Sequence, residues 1–166
     1  MRTQVILATF ATVLMTATAA TASNELVLLN QDVLLNQAQV DIAGAGNRLI
    51  ISQEHTGGAG ANIVTATING DLNGGPLGAS FTGAALASGL QPGTIVQSGF
   101  NNAMTIKVDG TSNLFAFSQN GSGNRLDASI AGYGNQAAVV QTGTDNYASF
   151  SQNGVGNIVS ISQHSW

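Results

Sequence analysis

The sequence predicts an all-β fold: a two-sheeted parallel β-solenoid of stacked β-arches, made of 11-residue strand–turn units at about 22 residues per coil. Three observations predict it. Asn, Gly and Gln recur with a period of 11 through the C-terminal half. Within each unit, four positions alternate with period 2, so they share one face of a strand. The chain also carries 16 Asn and 12 Gln against only 12 charged residues, a balance that favours ordered amide ladders.

The first segment, 1–22, reads as a secretory signal. Met1-Arg2 is a short basic start, Val5 to Met15 is apolar apart from Thr, and Ala20-Thr21-Ala22 offers a small-x-small cleavage site before Ser23. The apolar run is well short of the ~20 residues a spanning helix needs. The mature chain is therefore expected outside the cytoplasm.

Residues 23–73 carry degenerate repeats. Asn36 and Asn47 lie 11 apart, Glu25 takes the Asn place one step earlier, and Gln31 and Gln53 follow in frame. Extra residues within 54–61 delay the next Asn to Asn62, and Asn73 follows it. Residues 74–90, with Pro76 and further glycines, read as a Gly-rich surface insert.

Residues 91–166 hold the regular repeats and continue the same solenoid. Asn stands at 102, 113, 124, 135, 146 and 157; Gly stands at 99, 110, 121, 132, 143 and 154. Gln occupies 97, 119, 141, 152 and 163, with Val108 and Ile130 in the two gaps. The ladder is thus expected from Asn36, Asn47, Asn62, Asn102, Asn113, Asn124, Asn135, Asn146 and Asn157 with Gln31, Gln53, Gln97, Gln119, Gln141, Gln152 and Gln163. Gly99, Gly110, Gly121, Gly132, Gly143 and Gly154 are expected at turns, where positive φ is needed. Counting a weak unit at Asn73, the frame yields about twelve strands, or six coils roughly 29 Å tall.

Asn, two apolar positions and Gln fall at offsets 0, 2, 4 and 6. Ser, Arg125, Asp127 and Lys107 fill the odd offsets, which suits a solvent face. Consecutive strands paired as hairpins would set each Asn opposite a Gln. Arches stacked in parallel set Asn over Asn and Gln over Gln, so that inward amides find partners. Left unpaired, each amide would cost roughly 2–7 kcal/mol. The stacked arrangement is therefore favoured.

Composition leaves little for other chemistry. Net charge is −4 with one Lys and three Arg, which excludes a nucleic-acid binder built on basic patches. There is no Cys, so no disulfide or thiolate site. His55 and His164 are far apart in sequence, and Gly57-Gly58-Ala59-Gly60 lacks the Lys-Ser/Thr of a phosphate loop. Asp71, Asp109, Asp127 and Asp145 stand at different offsets and cannot make one acidic ladder. No catalytic residue, cofactor site or metal site is expected.

Two stretches carry a family resemblance. Gln152-Asn-Gly154-Val-Gly156-Asn157-Ile-Val159-Ser-Ile-Ser-Gln163 resembles the curlin repeat, Gln-x-Gly-x-Gly-Asn-x-Ala-x3-Gln. Gln141 to Gln152 keeps the Ala, as Ala148, and has Asp145 for the second Gly. The resemblance implies a secreted structural subunit that self-assembles into extracellular curli-type amyloid fibres for adhesion and biofilm formation. It also implies a nucleator subunit and an outer-membrane secretion channel as partners. Where the major curlin subunit has a Gly-rich targeting segment, Asn24-Glu25 here runs directly into Leu26. The tail Gln163-His164-Ser165-Trp166 is similar to that of the major, fibre-forming subunit. The alternatives are a minor, nucleating subunit or a monomeric β-solenoid adhesin or ice-binding protein. A monomer needs capped ends, and the frame from Glu25 to Gln163 leaves no room for caps.

Overall fold

A computed structural model describes residues 4–7, 13–16, 24–29 and 36–166. Of 4–7 and 13–16 only the backbone is described. Gln31, the cleavage site at 20–22 and Ser23 lie outside these residues.

The alternation of inward apolar and outward polar residues makes every regular unit a strand. In chain order these are β1 (Gln4–Leu7), β2 (Val13–Thr16), β3 (Glu25–Leu29), β4 (Asn36–Ala43), β5 (Arg48–His55), β6 (Asn62–Asp71), β7 (Thr94–Phe100) and β8 (Ala103–Thr111). Then come β9 (Leu114–Ser122), β10 (Arg125–Tyr133), β11 (Gln136–Thr144), β12 (Tyr147–Val155) and β13 (Ile158–His164). Odd-numbered strands form a seven-stranded sheet and even-numbered strands a six-stranded one, each in sequence order. Every pairing is parallel, and in the regular half each residue sits beside the one 22 further on, as Leu126 beside Ala148. The fold is the expected two-sheeted β-solenoid.

The two sheets close on a single core. Leu26, Leu28, Leu49, Ile51 and Ile95 from one sheet face Val64, Ala66, Met104, Ile106 and Leu126 from the other. Large residues are seated beside small ones along the stack. Phe115 stands between Gly93, whose N–H donates to its carbonyl at 2.7 Å, and Ala137. Its ring stacks on Phe117 at 6.0 Å, and both are fully buried.

Four details depart from the expected frame. The first concerns β3. Glu25 pairs with Arg48 on the outer face, and Asn24 stacks with Asn47, because Leu26 and Leu28 must point into the core. Glu25 is therefore not the Asn equivalent. Secondly, Asn73 has no strand of its own. Arg48 N–H donates to Asn73 O and Ile50 N–H donates to Gly93 O, so Asn73-Gly74 begins the rung that Gly93 and β7 complete. Residues 75–92 are an excursion from the middle of one rung. Among the described residues from Glu25 onward there are eleven strands, where about twelve were expected.

Thirdly, the regular strands run longer than seven residues, to nine in β8 through β12. The glycines expected at turns lie inside them, with φ between +101° and +124°. A Cβ on Gly99, Gly110, Gly121 or Gly132 would overlap the carbonyl oxygen of the glycine one coil on. The turn apex is the residue before each Asn. It is left-handed at Gly46, Gly123, Gly134 and Gly156, and also at Asn101, Ser112, Asp145 and Leu72, all with φ from +53° to +69°, but not at Ala61 before Asn62. Only Leu72 is a bulky side chain in that conformation.

Lastly, the two outer faces differ. On the six-stranded sheet the outward residues are mostly polar, as expected (Gln37, Gln39, Thr65, Thr105, Lys107, Asp127 and Ser149), with Ile63 and Tyr147 as exposed exceptions. The seven-stranded sheet instead presents Val27, Leu29, Ile50, Val96 and Val140, and its Ala116 and Ala138 are fully buried. The excursion covers these two alanines, while Leu29 and Val96 stay exposed. It contains the single-turn helix α1 (Gly83–Leu86) and packs Phe81 and Ala85 onto Ala116 and Ala138.

Candidate functional site: amide ladders and the ends of the stack

The inward amides build three continuous ladders. In the seven-stranded sheet, Asn24, Asn47, Asn73, Asn113, Asn135 and Asn157 are linked Nδ2 to Oδ1 at 3.0–3.3 Å. Asn36, Asn62, Asn102, Asn124 and Asn146 are linked likewise in the six-stranded sheet at 2.9–3.0 Å. Asn24 and Asn73 are members outside the expected ladder, displaced from its frame by a one-residue shift and by the excursion.

Each central Asn uses all its hydrogen-bonding capacity. Asn113 Nδ2 donates to Asn73 Oδ1 at 3.0 Å and to Gly132 O at 3.1 Å. Its Oδ1 accepts from Asn135 N–H at 3.0 Å and Asn135 Nδ2 at 3.1 Å. The same Nδ2-to-glycine bond recurs from Asn62 to Gly99, Asn73 to Gly110, Asn102 to Gly121, Asn124 to Gly143 and Asn135 to Gly154. The 11-residue Gly track thus holds the carbonyls that the Asn track requires, at positions where no Cβ fits. Complete satisfaction makes burial of an amide tolerable.

The Gln residues divide between the sheets. Gln53, Gln97, Gln119, Gln141 and Gln163 form the third ladder, each Nε2 donating to the next Oε1 at 2.7–2.8 Å. All belong to the seven-stranded sheet. The equivalent track of the other sheet is aliphatic: Ile42, Ile68, Val108 and Ile130. Gln152 stacks on Ile130 at its end. Its Nε2 donates to Gln136 O at 3.1 Å, but its buried Oε1 has no partner. Gln152→Ile should therefore raise the stability of the unassembled chain by about 1 kcal/mol. A lower urea midpoint for that variant would contradict this assignment.

The ladders have opposite directions. Each Asn donates toward the N-terminal end and leaves its Oδ1 facing the C-terminal end. Each Gln donates toward the C-terminal end. Asn146 and Asn157 therefore end the stack with acceptors, and Gln163 Nε2 ends it as a donor to Tyr147 O at 2.9 Å. At the other end of the seven-stranded sheet's Asn ladder Asn24 has its Oδ1 taken by Asn47, while the Gln ladder begins one rung in, at buried Gln53. For the Asn ladders unlike ends match, and two C-terminal ends would set acceptor against acceptor.

The charges are peripheral. Asp109 has its carboxyl held below the usual range, first by the Asn69 Nδ2 hydrogen bond at 2.8 Å and then by Lys107 at 2.9 Å. A depressed carboxylate stabilises above its unfolded pKa, and that contribution is lost as pH falls through the folded value. Because the pair is exposed, its effect is small. Among the described residues no group of three or more His, Asp or Glu is placed to hold a metal ion. His55 Nδ1 accepts from Gly57 N–H at 3.3 Å, and His164 meets Trp166 edge-on at 4.6 Å. Also among the described residues, no helix is long and apolar enough to cross a membrane.

Residues 132–164 match the family model described as the curlin associated repeat. No curated protein and no solved structure matches the chain.

Proposed function

We propose, on the premise of the curlin associated repeat matched at residues 132–164, that the chain is a fibre-forming subunit of an extracellular, curli-type amyloid. Both the repeat and the solenoid are structural rather than enzymatic. The observation that carries the reading is the single direction of the Asn ladders, donor toward one end and acceptor toward the other, which makes the two ends of the stack complementary. An exposed strand edge is a template for pairing, and here the inward amides add specificity to it. Asn24 of the next copy would give N–H and Nδ2 donors to Asn157, extending the Asn ladder of the seven-stranded sheet across the joint. A heterologous contact of this kind does not close, so it generates a filament. Adhesion and biofilm formation would be properties of that filament, and a nucleator and an outer-membrane channel its partners in assembly.

The N-terminal segment bears on when growth begins. β1 pairs with β3, and β2 with β4, along the edges that a preceding copy would need. Removing 1–22 as a secretory signal would bare those edges. The test is to incubate purified chain 23–166 and chain 1–166 separately and together, with thioflavin fluorescence and electron microscopy. Chain 23–166 should assemble alone. A small proportion of chain 1–166 should slow that assembly by adding to a growing end and blocking it. If chain 23–166 stays monomeric for days at micromolar concentration, the fibre reading fails.

A further inference from the structure

The excursion at 75–92 lies outside the strand frame. It runs along the stack over the outer face of the seven-stranded sheet. A Cβ on Gly75 would touch the Leu114 side chain on β9. Thr82 follows, its N–H donating to Gln136 Oε1 on β11 and its Oγ1 accepting from Gln136 Nε2, both at 2.7 Å. Gly83 then lies against Ile158 on β13, the last strand, where a Cβ would stand 3.0 Å from Ile158 Cδ1. The tip of the excursion, α1, is thus carried to the C-terminal edge, and Leu86 there is 61% exposed.

Small residues make this path possible. One outward column reads Val27, Ile50, Thr94, Ala116, Ala138, Ser160 along the stack. Ala116 and Ala138 leave room for Phe81 and Ala85 to pack down. A copy added in register would continue this column from Ser160 to its own Val27, and the next outward column from Ser162 to its own Leu29. That rung would lie about 4.8 Å beyond β13, within reach of a leucine side chain. Val27 is half-buried and Leu29 is 39% exposed, and both lie at the far end of the stack from the tip in their own copy. The neighbouring Glu25 is already paired with Arg48 at 3.1 Å.

We propose that residues 75–92 form a clasp across the joint between successive copies, with Leu86 seated on Val27 and Leu29 of the next copy. This rests on the fibre reading and adds a side-chain contact outside the core to the strand pairing within it. The occupant is a second copy of this chain because Val27 continues the column whose Ala116 and Ala138 the excursion already covers, and Leu29 is the apolar residue beside it. The clasp acts on the joint and leaves the fold of the monomer alone.

The test uses Leu86→Asp, Val27→Lys and the double variant, all in chain 23–166. The reading is the concentration of soluble chain left at equilibrium with fibres. Leu86→Asp should raise it about tenfold, the scale of one partly buried leucine. Urea midpoint and circular dichroism of the unassembled variant should not move. Combining it with Val27→Lys should bring the soluble concentration back to within about twofold of wild type, as opposite charges meet across the joint. A Leu86→Asp value within about twofold of wild type overturns the clasp, and so does a rise that Val27→Lys fails to reverse. In both cases the wild-type fibres stand. If wild-type chain forms no fibres, the fibre reading falls and takes the clasp with it.

Discussion

Gly121→Ala is expected to destabilise the unassembled chain by about 3 kcal/mol or more. At φ +121° an L side chain is strained, and its Cβ would overlap the carbonyl oxygen of Gly143. That oxygen belongs to backbone in the next coil and also accepts Asn124 Nδ2 at 3.0 Å, so it cannot withdraw without breaking a ladder bond. The informative companion is Gly156→Ala. Gly156 has φ +67°, with nothing within 4 Å of an added Cβ, so only the left-handed conformation is charged, about 1 kcal/mol. Urea midpoints of the two variants measure the difference. Equal losses would mean that conformation alone, and not contact between coils, selects glycine in this track.

Asn113→Ala is expected to cost about 3–5 kcal/mol, since each buried group left unpaired is worth about 1–3. Asn73 Oδ1 would keep the backbone N–H of residue 113 but lose the Nδ2 donor, Gly132 O would lose its Nδ2 donor, and Asn135 N–H and Nδ2 would lose their acceptor. Burial is complete at all three positions, so water cannot step in. Ser149→Ala on the outer face should stay within about 0.5 kcal/mol of wild type. The same measurement checks both. A small loss at Asn113 would show that the Asn ladder fixes register without adding stability.

The sequence made the repeat legible because period and alternation act over the whole chain. A seven-residue face with Asn, two apolar residues and Gln demanded inward burial, and only parallel stacking gave the amides partners. Gln at 97, 119, 141 and 163 is spaced by 22, so Val108 and Ile130 already marked the other sheet as aliphatic. Pooling both sheets into one Gln track concealed that, along with the isolation of Gln152. The excursion was misplaced because an interruption within a rung looks, in sequence, like one between rungs. Asn73 and Gln97 share a rung only through the pairing of Gly74 with Asn113 and Gly93 with Phe115. Alanine rather than Ser at outward positions 116 and 138 was the one local sign of a covered face, too weak to read without knowing what lay above it.

Head-to-tail stacking of complementary ends is the central claim, and disulfide trapping across the joint tests it most directly. The chain has no cysteine, so single substitutions report cleanly. Continuing the register places Ser162 of one copy beside Leu29 of the next, on the same outer column about 4.8 Å apart, a separation a disulfide spans. Fibres grown from an equal mixture of Ser162→Cys and Leu29→Cys chains, then oxidised, should give covalent dimers joining one variant to the other. Fibres of either variant alone should give none. Dimers of Ser162→Cys with itself would place like ends together and contradict the account.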